Sequence, residues 1–105
     1  MDEIERNDRL RLNIYKIKLS LLDSSVTLKP KEVLERSIKW LSLMVEAQLS
    51  PDYHLDPIFM CCEASKALGN DRALSHWSEK GAQISATTRG LLSRNTAYFT
   101  SFRKK

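Results

Sequence analysis

Glycine and proline are scarce in this chain, with three of each among 105 residues. So few breakers leave few places to turn, and abundant Leu, Lys, Glu, Arg and Ala favour helices in between. Cysteine is confined to one adjacent pair, Cys61-Cys62, which excludes a disulfide framework and fits a reducing, cytoplasmic setting. No apolar run approaches the roughly 18–20 residues that span a bilayer. The opening "MDEIERNDRL" is charged throughout and lacks the apolar centre of a signal peptide. Acidic residues are missing after Glu79, so Lys80, Arg89, Arg94, Arg103, Lys104 and Lys105 leave a basic end. Such an end can meet nucleic acid, an acidic protein or a membrane surface, or simply complement helix dipoles. Also absent are a phosphate-binding glycine loop, an HExxH pair, a calcium loop and a serine-nucleophile elbow. Neither enzyme activity nor a cofactor is expected.

What remains is an ordinary globular balance, 42% apolar and 29% charged, in a length suited to one domain spanning 1–105. In 4–22, Leu10, Ile14, Ile17 and Leu21 form one helical stripe, and Leu12, Tyr15, Leu19 and Leu22 form another roughly opposite. Two stripes predict a helix packed on both faces. Leu10 to Ile14 and Ile17 to Leu21 also alternate with period two, so a strand stays open as the other reading. The turn-forming "DSSVT" follows, and a helix starts near Pro30 with a core stripe of Leu34, Ile38, Leu41 and Val45. Trp40 and Met44 lie beside that stripe.

"SPDYHLDP" ends this helix, with Asp56 as the expected N-cap of a third helix over about 57–68. That helix begins apolar nearly all round, through Ile58, Phe59, Met60, Cys61 and Cys62, as a central or partner-facing helix does. Gly69-Asn70 stops it, and Asp71 is the expected cap of a fourth helix whose inner face carries Leu74, Trp77, Gly81 and Ile84. Gly81 inside a helix predicts a close neighbour. The segment 86–102 fits a fifth helix, although "AYFTSF" has strand-like composition. The fold class expected is all-α, four to five antiparallel helices.

The pinch at "KALGNDRALSHW" admits two readings. As a helix-turn-helix it resembles phage repressor sequences, with Arg72, Ser75, His76 and Ser78 as readers and Arg89 and Arg94 downstream. As a packed hairpin, Ala73 and Trp77 follow the Gly-Asn turn at the spacing of a tetratricopeptide-type hairpin, and the resemblance covers about 57–84. Ile58 stands where that family has an aromatic, and the turn is one residue shorter. In size and hairpin pattern the chain resembles the tetratricopeptide-like co-chaperones of bacterial type III secretion needle subunits. That resemblance implies a concave groove sequestering an aggregation-prone helix of the needle protein, and a small helical co-partner.

The expected function is therefore a non-enzymatic binding module or chaperone that holds an amphipathic segment of another protein by a helix-in-groove contact. Trp40, Met44, Ile58, Phe59, Met60 and Trp77 are the candidate groove residues, each with core packing as the plainer role. The alternatives are a small DNA-associated regulator acting through Arg72, His76, Arg89 and Arg94, and a phage or plasmid protein that modulates a host protein. A membrane partner is not expected, and a homo- or hetero-oligomer is open. His54, Cys61, Cys62 and His76 are the conceivable metal ligands, but adjacent cysteines diverge by about 100° on a helix and no paired C-x2-C spacing exists. Two small buried thiols are the expected reading.

Overall fold

The computed structural model describes residues 3–23, 27–90 and 92–102, with the side chains of residues 3 and 4 left undescribed. The described residues form five α-helices: α1 (Glu3–Leu22), α2 (Pro30–Glu46), α3 (Leu55–Leu68), α4 (Asp71–Thr88) and α5 (Arg94–Thr100). A 3₁₀ turn, Pro51–His54, leads into α3. No strand occurs among the described residues, so 4–22 is helical and its period-two alternation is incidental. None of the described helices is long and apolar enough to cross a membrane.

Helix packs on helix between sequence neighbours, α1 on α2, α2 on α3, α3 on α4 and α4 on α5, and the 3₁₀ turn also reaches α4. Arg6, near the start of α1, pairs with Glu46 at the end of α2, which makes those helices antiparallel. Arg89, just beyond α4, pairs with Asp52, just before α3, and orients the second pair the same way. The row is elongated, with extents of 50 × 32 × 22 Å. Its radius of gyration of 14.5 Å exceeds the roughly 13 Å of a compact domain this size.

Two apolar clusters hold the row together. Ile14 of α1 meets Trp40 and Met44 of α2, with Met60 of α3 packed alongside. Leu41, Leu55, Ile58, Cys62, Ala82 and Phe99 form the other, joining α2 to α5. The inward face of α2 is Ser37, Trp40, Leu41 and Met44, whereas Ile38 and Val45 are exposed. The expected stripe was rotated by about one position, because α2 packs between α1 and α3 and turns its 37/40/41/44 arc toward both.

Helix ends explain the other differences. The 3₁₀ turn runs straight into α3, so the helix starts at Leu55 with His54 at its cap, and Asp56 sits in its first turn. Gly69 ends α3 at φ 69°, and the Asn70 and Gly69 amides donate to Ser65 and Lys66. Asn70, not Asp71, then caps α4, its Oδ1 accepting from the Ala73 amide at 3.1 Å. Gln48 closes α2 at φ 58°, with Leu49 N–H donating to Met44 and Gln48 N–H to Val45 in a Schellman arrangement.

The α4–α5 corner is held by hydroxyls. Ser93 caps α5 and accepts from Thr96 N–H at 3.2 Å. Ser85 and Thr96 hydroxyls meet at 2.8 Å, and Thr96 Oγ1 donates to the Gly90 carbonyl at 2.8 Å. "AYFTSF" is helical through Thr100 because Phe99 docks on α4 from a helix, over Gly81. A Cβ on Gly81 would lie 2.5 Å from two Phe99 ring carbons, which accounts for a glycine inside α4.

Candidate functional site

The site is built by α1. Its Leu10 and Ile14 are buried and its Ile17 and Leu21 half-buried, all toward α2. The opposite stripe faces solvent: Leu12, Tyr15, Leu19 and Leu22 are 52%, 58%, 48% and 60% exposed. The expectation that both faces of α1 pack inside this chain is corrected here, since α1 ends the row and α2 alone contacts it among the described elements. Spacing along the stripe is 3-4-3, so the four side chains form a seam about 15 Å long on three turns.

Charges edge that seam. By helical geometry Arg11 and Lys18 flank it on one side and Arg9 and Lys16 on the other, and all four are exposed. Acids occur only toward its ends, at Glu5, Asp8 and Asp23. Scattered exposed leucines are normal on a protein surface; three leucines and a tyrosine in heptad register on one helix form a patch of the kind that meets a partner.

The groove candidates divide. Trp40, Met44 and Ile58 are buried in the two clusters and are core. Met60 is half-buried against the Trp40 cluster, and Trp77 is half-buried against the second. Phe59 is 42% exposed and lies against Tyr98 at a 4.6 Å centroid separation. These six therefore line no common open groove. Tyr98 also donates its hydroxyl to Glu63, and burial together with that carboxylate pushes its pKa up.

The basic candidates divide as well. Arg72 and His76 share an open cleft of about 710 Å³ with Ser75, Ser78 and Phe102. Asp71 and Glu79 line the same cleft, so it is electrostatically mixed. Arg89 lies about 25 Å from Arg72 along α4 and is engaged by Asp52, which accepts from Nε at 2.7 Å and Nη2 at 3.1 Å. Arg94 is exposed in the first turn of α5. Residues 103–105 of the basic end lie outside the described residues.

The conceivable metal ligands are dispersed, and no three His, Cys, Asp or Glu side chains gather into a metal-holding group among the described residues. Cys61 and Cys62 are fully buried free thiols, each pushed up to about 12, chiefly by burial. Burial lowers the pKa of His54, opposed by a hydrogen bond with the Leu49 backbone and aided by Lys80. His76 stands edge-on to Trp77 at 4.8 Å.

No protein-family model matches the chain, and neither the curated proteins nor the solved structures contain a significant match to it. The outer face of α1 is the feature that sequence reasoning passed over as a site. Its signal was present in the second stripe, but a stripe cannot say whether its cover comes from the same chain.

Proposed function

We propose that this protein is a non-enzymatic, cytoplasmic helical module that binds an amphipathic segment of another protein. The observation that carries the reading is the seam of Leu12, Tyr15, Leu19 and Leu22, left in solvent at the end of a row of helices. Burying a leucine side chain is worth roughly 1.5–3 kcal/mol, so a helix laid along such a seam gains several such increments. The row of helices and its elongated shape support stacked hairpins of the tetratricopeptide kind, because in such arrays each two-helix unit stacks on the next. The Gly69-Asn70 turn with Ala73 and Trp77 adds to that likeness. A chaperone of the type III secretion kind, guarding a helix that aggregates when free, is the particular role this architecture suits.

The test is affinity capture from the native cell lysate with nuclease and high salt, comparing the natural protein with Leu12→Ser/Leu19→Ser. A stoichiometric protein partner retained by the first and lost from the second is the expected result. Recovery of nucleic acid alone, abolished by nuclease, would move the function to the DNA-associated regulator, with the Arg72–His76 cleft as its contact surface. Equal capture by both proteins would remove α1 from the binding function.

A further inference from the structure

We infer that the occupant of the α1 seam is a helix with acidic flanks, not a second copy of this chain. This rests on the protein-binding reading above and adds the chemistry of the partner. Four cations, Arg9, Arg11, Lys16 and Lys18, border the apolar seam on both sides; Glu5 and Asp8 stand one turn before Arg9 and Arg11, and no acid lies between Leu12 and Leu19 on α1. In a helix pair joined along an apolar heptad seam, the residues bordering it face those bordering the partner's seam. Two α1 helices would bring these cationic borders together, with Asp23 the one acid on either border to offset them. In the parallel arrangement Arg11 faces Lys16 of the other copy while Lys18 faces Asp23, and in the antiparallel one Lys16 meets Lys16 and Lys18 meets Lys18 while Arg9 meets Asp23. Like charges at these positions disfavour pairing and select against that partner. A helix with Leu-type residues along its seam and Glu or Asp at the borders instead sets an acid against all four cations.

The spacing favours a helix over a lipid surface. The 3-4-3 seam is narrow, two side chains per two turns, which suits knobs-into-holes packing. A helix lying in a membrane interface presents a broad apolar face with a cationic opposite face. Here the face opposite the seam is occupied by α2, and Asp8 lies in line with the seam one turn before Leu12.

The experiment uses the full chain and two synthetic three-heptad peptides, with Leu along the seam and either Glu or Lys at the bordering positions. Binding is read by fluorescence anisotropy of labelled peptide, alongside sedimentation with phosphatidylglycerol and phosphatidylcholine vesicles. The Glu-bordered peptide should bind about tenfold or more tightly than the Lys-bordered one at low salt, and the preference should shrink as salt rises. Arg11→Glu/Lys16→Glu replaces one exposed cation on each border and should erase or invert the preference; circular dichroism reports that the variant stays helical. Leu12→Ser/Leu19→Ser should abolish binding of both peptides. Equal binding of both peptides, lost with the serines, would overturn the acidic partner while leaving a protein-docking face. Binding of neither peptide, with anionic vesicles bound instead, would overturn this inference and the protein-binding function together. A dimer in the ultracentrifuge that Leu12→Ser/Leu19→Ser converts to monomer would assign the seam to a second copy.

Discussion

Gly81→Ala tests the packing of α5 on α4. In an exposed helix interior this change stabilises by about 1 kcal/mol, because glycine has the greater backbone freedom to lose. Here the new methyl would stand 2.5 Å from Phe99 Cδ1 and Cε1 and 2.8 Å from Cγ. Ordinary carbon contacts lie at about 3.5–4.0 Å, so the ring must retreat by about 1 Å. Phe99 is buried among Leu41, Leu55, Ile58, Cys62 and Ala82, and stands edge-on to Tyr98 at 5.2 Å, so a retreat disturbs several neighbours at once. Overpacking of this kind costs about 1–3 kcal/mol. The other escape from the clash is to undock α5. That exposes Phe99, at roughly 1.5–3 kcal/mol, and breaks the Phe59–Tyr98 stack, worth about 0.5–1.5 kcal/mol more. Against the propensity gain, a net loss of about 2 kcal/mol is expected, a sizeable part of a small domain's stability. Urea unfolding followed by the fluorescence of Trp40 and Trp77 reads it, and Gly81→Ala combined with Phe99→Leu should recover at least about 1 kcal/mol of coupling. A neutral or stabilising Gly81→Ala in the presence of Phe99 would refute the close approach.

Gln48→Gly should stabilise by about 1 kcal/mol, because Gln48 holds φ 58° and a side chain is strained there; thermal unfolding checks the sign. Ser65→Ala should be neutral or stabilising by up to about 1 kcal/mol, since its fully buried hydroxyl has no hydrogen-bond partner; a clear loss in urea unfolding would contradict that. Thr96→Val should cost about 1–3 kcal/mol by removing the donor to the Gly90 carbonyl and the contact with Ser85, and amide exchange should show α5 loosening first. Stability should also be bounded in pH. The thiols of Cys61 and Cys62 ionise near 9 in the unfolded chain but are pushed up to about 12 when folded. Their contribution is therefore complete below pH 9 and is lost as pH rises toward 12. His54 acts at the other end: its lowered pKa gives stability that is present above 6.5 and lost as pH falls through the folded value. Unfolding midpoints that stay level between pH 9 and 11 would contradict the burial of the two thiols.

Much of the architecture was legible because it rests on local rules. Pro30, the Gly69-Asn70 stop and the turn residues near 23 and 50 mark where the chain can and cannot continue a helix, and α2, α3 and α4 begin or end within a few residues of those marks. The close approach at Gly81 was legible too, since a helix keeps a glycine at such a cost only under a neighbour. Less was legible where two local signals compete. Asn70 and Asp71 are both good caps, and the side chain that reaches the Ala73 amide is Asn70. Leu34, Ile38, Leu41 and Val45 make a sound stripe, yet only Leu41 of it is buried, beside Ser37, Trp40 and Met44.

The candidate site shows the same division. The residue pattern by itself determined that α1 carries two apolar stripes and that cations border the outer one, since helical geometry places side chains by position alone. Which stripe is buried was decided only by the tertiary row, where α1 stands at the end with α2 on one side and solvent on the other. Trp40, Met44 and Ile58 carry no local sign that separates a core aromatic or aliphatic residue from one that grips a partner. Burial is a property of neighbours distant in sequence, so the packing of α1, α2 and α3 withdrew these three from solvent and left Leu12, Tyr15, Leu19 and Leu22 in it.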